Sequence, residues 1–282
     1  MQDLDFPLEL KHTALYQPVN HVLLVVFLPK GSRNCMTTTA QHELEKIFAW
    51  LDKNPDLRCA VITGAGRMFL SGGDLHEWYR LNHKPLGLFD MVPRRGFAGL
   101  TGRFGKKPVI AAVNGPAFGG GFEMLMGVDM IIASSNATFS LPEVKRGVLA
   151  FGGCLPRLMK NVGRQRAMEM ALVGDSITAE RAHQWGLVNE IVAENSGTED
   201  VLKRPVVLKA VEYAQKMARH SPDSVILSRT AVLLGHEQGS AEAASWFIGD
   251  MVDQGFDENP NLQEGLAAFV EKRKPVWRPS KL

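Results

Sequence analysis

The sequence has 282 residues, 45% of them hydrophobic and 22% charged, with a formal net charge of +2. These proportions are typical of a globular protein with a substantial core, and the near-neutral charge gives no electrostatic reason to expect a nucleic-acid partner. The three cysteines have no metal-binding spacing and the longest apolar run is too short for a membrane span, so we expect no disulfide framework, no metal site and no membrane insertion.

Strand and helix patterns alternate along the first half of the chain. Residues 22–28 form a continuous apolar run typical of a buried strand, and residues 37–55 follow with apolar side chains at helical spacing. Further strands are predicted at residues 59–66, 107–115, 129–134 and 137–143, and further helices at residues 72–82 and 119–127. This alternation predicts an α/β protein whose parallel strands are joined by right-handed crossovers.

The last third of the chain is predicted to be helical. Amphipathic segments occupy residues 164–174, 178–188, 205–221, 223–236, 241–254 and 262–274, and residues 193–205 resemble a polar linker. The sequence therefore predicts two parts, a core at residues 1–200 and a helical region at residues 201–282.

Two glycine-rich turns carry the first functional signal. The segments SGGD and GGGFE each lie between a predicted strand and a predicted helix, and such turns of a parallel sheet share one edge. Two N–H groups aimed at one point there would form an oxyanion hole, although glycines can also serve tight turns alone. The spacing of phosphate-binding loops, Gly-x-Ser-x-Gly elbows and His-Glu-x-x-His motifs does not occur, so we expect no nucleotide, dinucleotide or serine hydrolase chemistry.

Two glutamates are candidates for acid–base chemistry. Glu123 lies three residues after Gly120, on the same face of a helix, and its apolar neighbours predict burial and a raised pKa. Glu143 follows Pro142 at the start of another segment. Each could instead be an ordinary acidic residue in a first helical turn, and spacing alone leaves open whether the two carboxylates meet.

Two long blocks, CAVITGAGRMFLSGGDL and KPVIAAVNGPAFGGGFEMLMGVDMIIASSNATFSLPEVKRGV, resemble the enoyl-CoA hydratase/isomerase, or crotonase, family. The resemblance extends over nearly the whole chain, including TAERAHQWGLVNEIV and the terminal LAAFVEKRKPV. It implies an α/β fold of the crotonase, ClpP-like type, a spiral of ββα units with a helical C-terminal trimerisation region. It also implies a homotrimer or a hexamer built from two trimers.

The same resemblance assigns roles to single residues. The N–H groups of Gly73 and Gly120 would hold the thioester oxygen of an acyl-CoA, Glu123 would deprotonate a water for attack at Cβ, and Glu143 would deliver a proton to Cα. The other residues expected to contact acyl-CoA are Arg33, Gly72, Asp74, Leu75, His76, Pro142, Phe151 and Lys272. Trp78, Phe89 and Met91 could line the acyl tail or belong to the core. No cofactor is implied, because coenzyme A is part of the substrate.

The presence of both glutamates favours hydration of trans-2-enoyl-CoA to 3-hydroxyacyl-CoA, as in fatty-acid β-oxidation. Two alternatives stay open: Δ3-Δ2-enoyl-CoA isomerisation, which needs one carboxylate, and acyl-CoA binding without catalysis. The final residues Ser280, Lys281 and Leu282 match a peroxisomal targeting tripeptide. We therefore expect a peroxisomal enzyme that an import receptor recognises.

Overall fold

A computed structural model describes residues 6–7, 9–28, 34–81, 91–194, 200–253 and 259–282. The strands in these ranges are β1 (Thr13–Val19), β2 (Val22–Phe27), β3 (Cys59–Gly64), β4 (Val109–Val113), β5 (Ala117–Phe118), β6 (Met130–Ser134), β7 (Thr138–Ser140), β8 (Ile177–Thr178) and β9 (Glu190–Val192). The helices are α1 (Thr38–Lys53), α2 (Leu75–Leu81), α3 (Gly120–Glu123), α4 (Cys154–Val162), α5 (Arg164–Val173), α6 (Ala179–Gln184), α7 (Pro205–Ala218), α8 (Pro222–Gln238), α9 (Ala241–Asp253) and α10 (Pro260–Val270).

The central sheet has the strand order β1-β2-β3-β4-β6-β9. Strands β2, β3, β4, β6 and β9 run parallel, whereas β1 and β2 form an antiparallel hairpin. A small second sheet has the order β5-β7-β8, with β5 and β7 parallel. The parallel core confirms the α/β prediction, and this second sheet brings the two glutamate-bearing segments side by side.

Both faces of the central sheet are covered, so the inner strands β2 and β4 are apolar on every residue. Along β2, Leu23 and Val25 point into the larger core beneath α1, while Val22 and Leu24 point into a second core beneath α7. Helix α1 buries Leu44, Ile47, Phe48 and Leu51 against the first face. Burial of each such side chain contributes about 1.5–3 kcal/mol before the entropy of ordering it is subtracted.

Helix α7 closes the opposite face with small residues. Its positions Ala210, Ala214 and Ala218 are buried in the second core, and the short side chains let the helix lie close to the strands. Pro205 at its first turn fits because the missing N–H would have no partner there. The predicted C-terminal helices are confirmed, while the division at residue 200 stays a prediction.

Two differences from the sequence-based expectation concern short or exposed elements. Strand β1 was not predicted, because it lies at the sheet edge, is mostly half-buried and contains Pro18. The helix predicted at residues 119–127 is a single α-helical turn, α3, followed by a 3-10 turn at Met124–Gly127. Among the described helices, none has the length and hydrophobicity needed to cross a bilayer.

Candidate active site

The two glycine turns lie side by side at one edge of the central sheet. The Phe118 N–H donates to the Leu70 carbonyl at 2.9 Å, and the Phe69 N–H donates to the Pro116 carbonyl at 3.0 Å. A Cβ placed on Gly72 would lie 3.0 Å from the Gly120 nitrogen, which shows how closely the turns approach. The sequence-based expectation that both turns share an edge is confirmed.

Glycine is needed in these turns for conformation and for space. Gly72 has φ +94° and Gly119 has φ +54°, which residues with side chains rarely adopt. A Cβ on Gly73 would lie 2.9 Å from the Trp78 ring, and a Cβ on Gly120 would lie 2.3 Å from the Phe97 ring. Within the described part of the chain, neither the Gly73 N–H nor the Gly120 N–H has a hydrogen-bond acceptor. The turns therefore offer two donors to a bound group.

A cavity of about 90 Å³ lies against these turns. Its walls combine both glycine turns, two carboxylates, three aromatic rings and one guanidinium. The lining residues are Ser71, Gly72, Gly73, Leu75, Trp78, Phe97, Gly119, Gly120, Glu123, Pro142, Glu143, Arg146, Val148, Leu149 and Phe151.

Glu123 is held at the cavity by the backbone of a distant segment. Its side chain lies one turn after Gly120, the residue is 5% exposed, and its Oε2 accepts a hydrogen bond from the Gly152 N–H at 2.7 Å. The pKa of Glu123 is raised to about 7, chiefly by burial and to a smaller extent by the charge of Glu143, while the hydrogen bond from the Gly152 N–H opposes both effects. This carboxyl therefore changes protonation state near neutral pH.

Glu143 enters the same cavity from the second sheet. The Gly119 N–H donates to the Ser140 carbonyl at 3.0 Å, which fixes the segment that follows β7 and begins the 3-10 turn Pro142–Arg146. Burial raises the pKa of Glu143 to about 6. Its Oε1 lies 3.2 Å from the position of a Cβ on Gly119, and its buried Oε2 has no partner among the described residues.

The structure places Glu123 and Glu143 at one cavity, whereas the sequence left open whether the two carboxylates lie close together. At neutral pH the pair can hold one proton, because the pKa values of Glu123 and Glu143 are raised to about 7 and about 6. Such a pair can accept a proton from a water on one carboxylate and donate a proton from the other. Two backbone N–H donors beside it can stabilise an oxyanion.

Of the remaining predicted contact residues, four line the cavity and a fifth caps a helix. Leu75 and Phe151 line the cavity, as do Gly72 and Pro142. The side chain of Asp74 instead caps α2, accepting from the His76 N–H at 3.0 Å and the Glu77 N–H at 3.2 Å.

Of the last three predicted contacts, two lie outside the cavity walls and one cannot be placed. His76 and Lys272 are exposed and absent from its walls, and Arg33 lies outside the described residues. Trp78 lines the cavity, Met91 is buried elsewhere, and Phe89 also lies outside the described residues.

Sequence reasoning missed several residues of the site. Phe97, Arg146, Val148 and Leu149 complete the walls, and they carry no local pattern that marks a site. Gly152 supplies the N–H that holds Glu123, and a Cβ there would lie 2.8 Å from Glu123 Oε2. The adjacent glycines at 152 and 153 were the available signal for this close approach.

Comparisons with known proteins agree over almost the full chain. The family model for enoyl-CoA hydratase/isomerase matches residues 19–280. Mevalonyl-coenzyme A hydratase of Aspergillus fumigatus is 44% identical over 265 residues, covering 94% of this chain and 94% of that protein. Carnitinyl-CoA dehydratase of Escherichia coli is 33% identical over 268 residues, covering 94% and 98%. The crystal structure of an enoyl-CoA hydratase from Mycobacterium tuberculosis matches with a TM-score of 0.83 at 29% identity, covering 95% of this chain and 99% of that chain.

Proposed function

The chain belongs to the enoyl-CoA hydratase/isomerase family, and on that premise we propose that it interconverts 2-enoyl-CoA and 3-hydroxyacyl-CoA thioesters with Glu123 and Glu143. Its crotonase fold and its class, a hydro-lyase of acyl-CoA thioesters, are confirmed. The residues that carry the reaction and the acyl group it acts on are the parts that we propose.

The thioester oxygen binds between the two glycine turns. It accepts hydrogen bonds from the N–H groups of Gly73 and Gly120, whose lack of other acceptors in the described chain supports this role. As water adds at Cβ, negative charge develops on this oxygen, and the two donors stabilise it more strongly than they stabilise the neutral thioester.

The two carboxyl groups move the protons. One carboxylate takes a proton from water as the water oxygen bonds to Cβ, and the other carboxyl group delivers its proton to Cα as the enolate electrons form the new C–H bond. Following the family resemblance, Glu123 is the base and Glu143 the acid. In the ligand-free chain the pKa of Glu123, about 7, lies above that of Glu143, about 6, so the shared proton must redistribute when substrate binds.

The observation that carries the proposal is the buried Oε2 of Glu143, which lies at a cavity shared with Glu123 and has no hydrogen-bond partner among the described residues. A buried carboxylate oxygen normally has a hydrogen-bond donor, and a substrate water is the donor that this reaction supplies.

We propose mevalonyl-CoA and its dehydrated 2-enoyl partner as the substrate pair. The relative named for mevalonyl-coenzyme A shares 44% of aligned residues with this chain, against 33% for the relative named for carnitinyl-CoA. The guanidinium of Arg146 lines the cavity and would repel the quaternary ammonium of a carnitinyl group. The three aromatic rings could bind such a cation, so carnitinyl-CoA belongs in the substrate panel.

The test is hydration and dehydration of acyl-CoA thioesters by the wild-type protein and by Glu123→Gln and Glu143→Gln. Each variant should lower kcat by about 10²–10⁴-fold, because each removes one proton-transfer group and keeps the shape of the side chain. The panel comprises mevalonyl-CoA, carnitinyl-CoA, crotonyl-CoA and a 3-enoyl-CoA.

Glu194→Gln is the matched control, since Glu194 is exposed and bonds Asn136 far from the cavity. Full activity in either active-site variant would refute the two-carboxylate mechanism. Conversion of the 3-enoyl-CoA with no hydration would identify an isomerase, and binding of CoA thioesters without any turnover would identify a non-catalytic protein.

Assembly and location are further proposals. Large apolar side chains are exposed on the C-terminal helices, including Trp246 at 68% and Phe269 at 84%, which supports a homotrimer or hexamer whose mass in solution tests the idea. The tripeptide Ser280, Lys281 and Leu282 supports recognition by a peroxisomal import receptor. No cofactor beyond the coenzyme A of the substrate enters the proposed reaction.

A further inference from the structure

The indole of Trp78 has a buried N–H without a partner. Within the described residues its Nε1 atom is enclosed by protein and makes no hydrogen bond. Buried tryptophan N–H groups usually find an acceptor, because leaving one unpaired destabilises the folded chain. An unpaired donor at a cavity is therefore a candidate contact for a ligand atom.

Trp78 lies beside two other residues that line the cavity, Gly73 and Phe151. A Cβ on Gly73 would lie 3.4 Å from the Trp78 Nε1, so the N–H is close to the turn that faces the thioester. On the other side, the Phe151 ring packs against the indole with centroids 6.5 Å apart and planes tilted by 50°. Both rings line the cavity of about 90 Å³, which has room for a short acyl group.

We propose that the Trp78 N–H donates a hydrogen bond to an oxygen that the acyl chain carries beyond its two reacting carbons. The inference rests on the proposed function and deepens it, because it makes Trp78 the residue that selects hydroxylated acyl groups over alkyl groups. In the ligand-free chain, protein atoms cover Nε1. The hydrogen bond therefore requires the Trp78 or Phe151 ring to turn when the acyl group binds.

Acyl groups differ in whether they carry an acceptor for the Trp78 N–H. A distal hydroxyl, such as that of a mevalonyl group, can accept the hydrogen bond, whereas an alkyl chain or a trimethylammonium group has no acceptor. A site built around a hydrogen bond also rejects an analogue that lacks the acceptor, because the donor is then left unpaired. The thioester oxygen is another acceptor of the bound substrate, and all substrates of the panel share it.

The experiment compares two 2-enoyl-CoA thioesters that differ only in the distal hydroxyl, 5-hydroxy-3-methylpent-2-enoyl-CoA and 3-methylpent-2-enoyl-CoA. The variant is Trp78→Phe, which removes the N–H and keeps an aromatic ring. We expect wild-type kcat/KM to favour the hydroxylated thioester by about 10- to 100-fold, and Trp78→Phe to lose that preference, so that the ratio of the two kcat/KM values falls to about one. Trp246→Phe is the control, because that indole is on α9 and bonds Glu242.

Thermal unfolding at the wild-type temperature shows that Trp78→Phe is folded, and hydration of the alkyl thioester by the wild-type protein shows that the proposed function holds. An equal loss on both thioesters would overturn the inference and assign the N–H to the thioester oxygen or to packing. The absence of a wild-type preference would overturn it as well. Failure of the wild-type protein to hydrate either thioester would refute the proposed function itself.

Discussion

Glu123 has an unusual environment for a carboxyl group. The residue is 5% exposed, it accepts backbone hydrogen bonds from Gly152 and Cys154, and it lies near the half-buried carboxylate of Glu143. Burial and the like charge both disfavour its ionised form, so this residue lowers the stability of the folded chain at neutral and alkaline pH. Such a cost is expected where a side chain is retained for its chemistry.

Glu123→Gln should therefore change how stability depends on pH. The pKa of Glu123 is about 7 in the folded chain against 4.5 for an ordinary glutamate, so the folded state binds more protons in that interval. The contribution of this group to stability is then fully present below pH 4.5 and is lost as pH rises to about 7, by at most about 3 kcal/mol. Glutamine cannot ionise, so the variant should lack this loss.

The measurement is the free energy of unfolding in urea at several pH values, taken as the difference between variant and wild type. Glu194→Gln again serves as control, because Glu194 is exposed. Parallel curves for Glu123→Gln and wild type would contradict the raised pKa.

At the scale of elements, three separate segments assemble the site. The two glycine turns supply the N–H donors, and the segment from Pro142 to α4 supplies both Glu143 and the N–H of Gly152. This segment is held by the pairing of β7 with β5 at one end and by the packing of α4 at the other. The site therefore depends on how elements distant in sequence are aligned.

Gly152→Ala should impair catalysis without unfolding the protein. A Cβ at residue 152 would lie 2.8 Å from Glu123 Oε2 and 3.1 Å from the Phe97 nitrogen, so the carboxylate must move away from its N–H donor. We expect kcat to fall by about 10- to 100-fold, in line with the effect of misplacing a catalytic group. Steady-state kinetics and thermal unfolding measure the two effects.

Gly235→Ala in α8 is the matched control. A Cβ there has no atom of a neighbouring segment within 4 Å, and alanine favours helix, so activity should stay unchanged. Normal kinetics in Gly152→Ala would show that the N–H of residue 152 does not position Glu123.

At the scale of the whole molecule, the C-terminal tail folds back onto the body. The Ser280 hydroxyl donates to the carboxylate of Asp223 at the start of α8, and Lys106 Nζ donates to the Leu282 carbonyl at 2.5 Å. Ser280 and Leu282 are half-buried. A receptor that reads this tripeptide must first detach it from these partners.

Removal of residues 280–282 should abolish peroxisomal import and leave the enzyme folded. A fluorescent protein fused to the N-terminus should change from a punctate to a diffuse pattern, because the receptor motif is lost. The purified truncated protein should keep its activity, since these residues are remote from the cavity walls. Lys106→Met is the control that weakens tail docking and keeps the motif, and its import should persist. Punctate import of the truncated protein would refute the targeting role.

Much of the fold could be predicted because its signals are local. The buried strands β2, β3, β4 and β6 are largely apolar runs, and helices α7, α9 and α10 have amphipathic spacing. The short strands β5, β8 and β9 carry too few residues for a pattern, and their pairing is decided by the elements around them.

The candidate site was predictable only in part for the same reason. Paired glycines mark places where a backbone turns sharply or approaches another group, so both turns could be found. The contact between Gly152 and Glu123, and the walls formed by Phe97 and Arg146, arise from tertiary packing. No short-range spacing in the sequence predicts these contacts.

One short stretch of chain links Glu143 to Gly152, and between them it carries Val148, Leu149 and Phe151 of the cavity wall. A change of substrate during evolution would most simply alter these wall residues. A change that moves the backbone there would also shift the Gly152 N–H, which opposes the effect of burial on the pKa of Glu123. A relative that evolves a new acyl preference by such a change would therefore also have to restore the pKa values of Glu123 and Glu143.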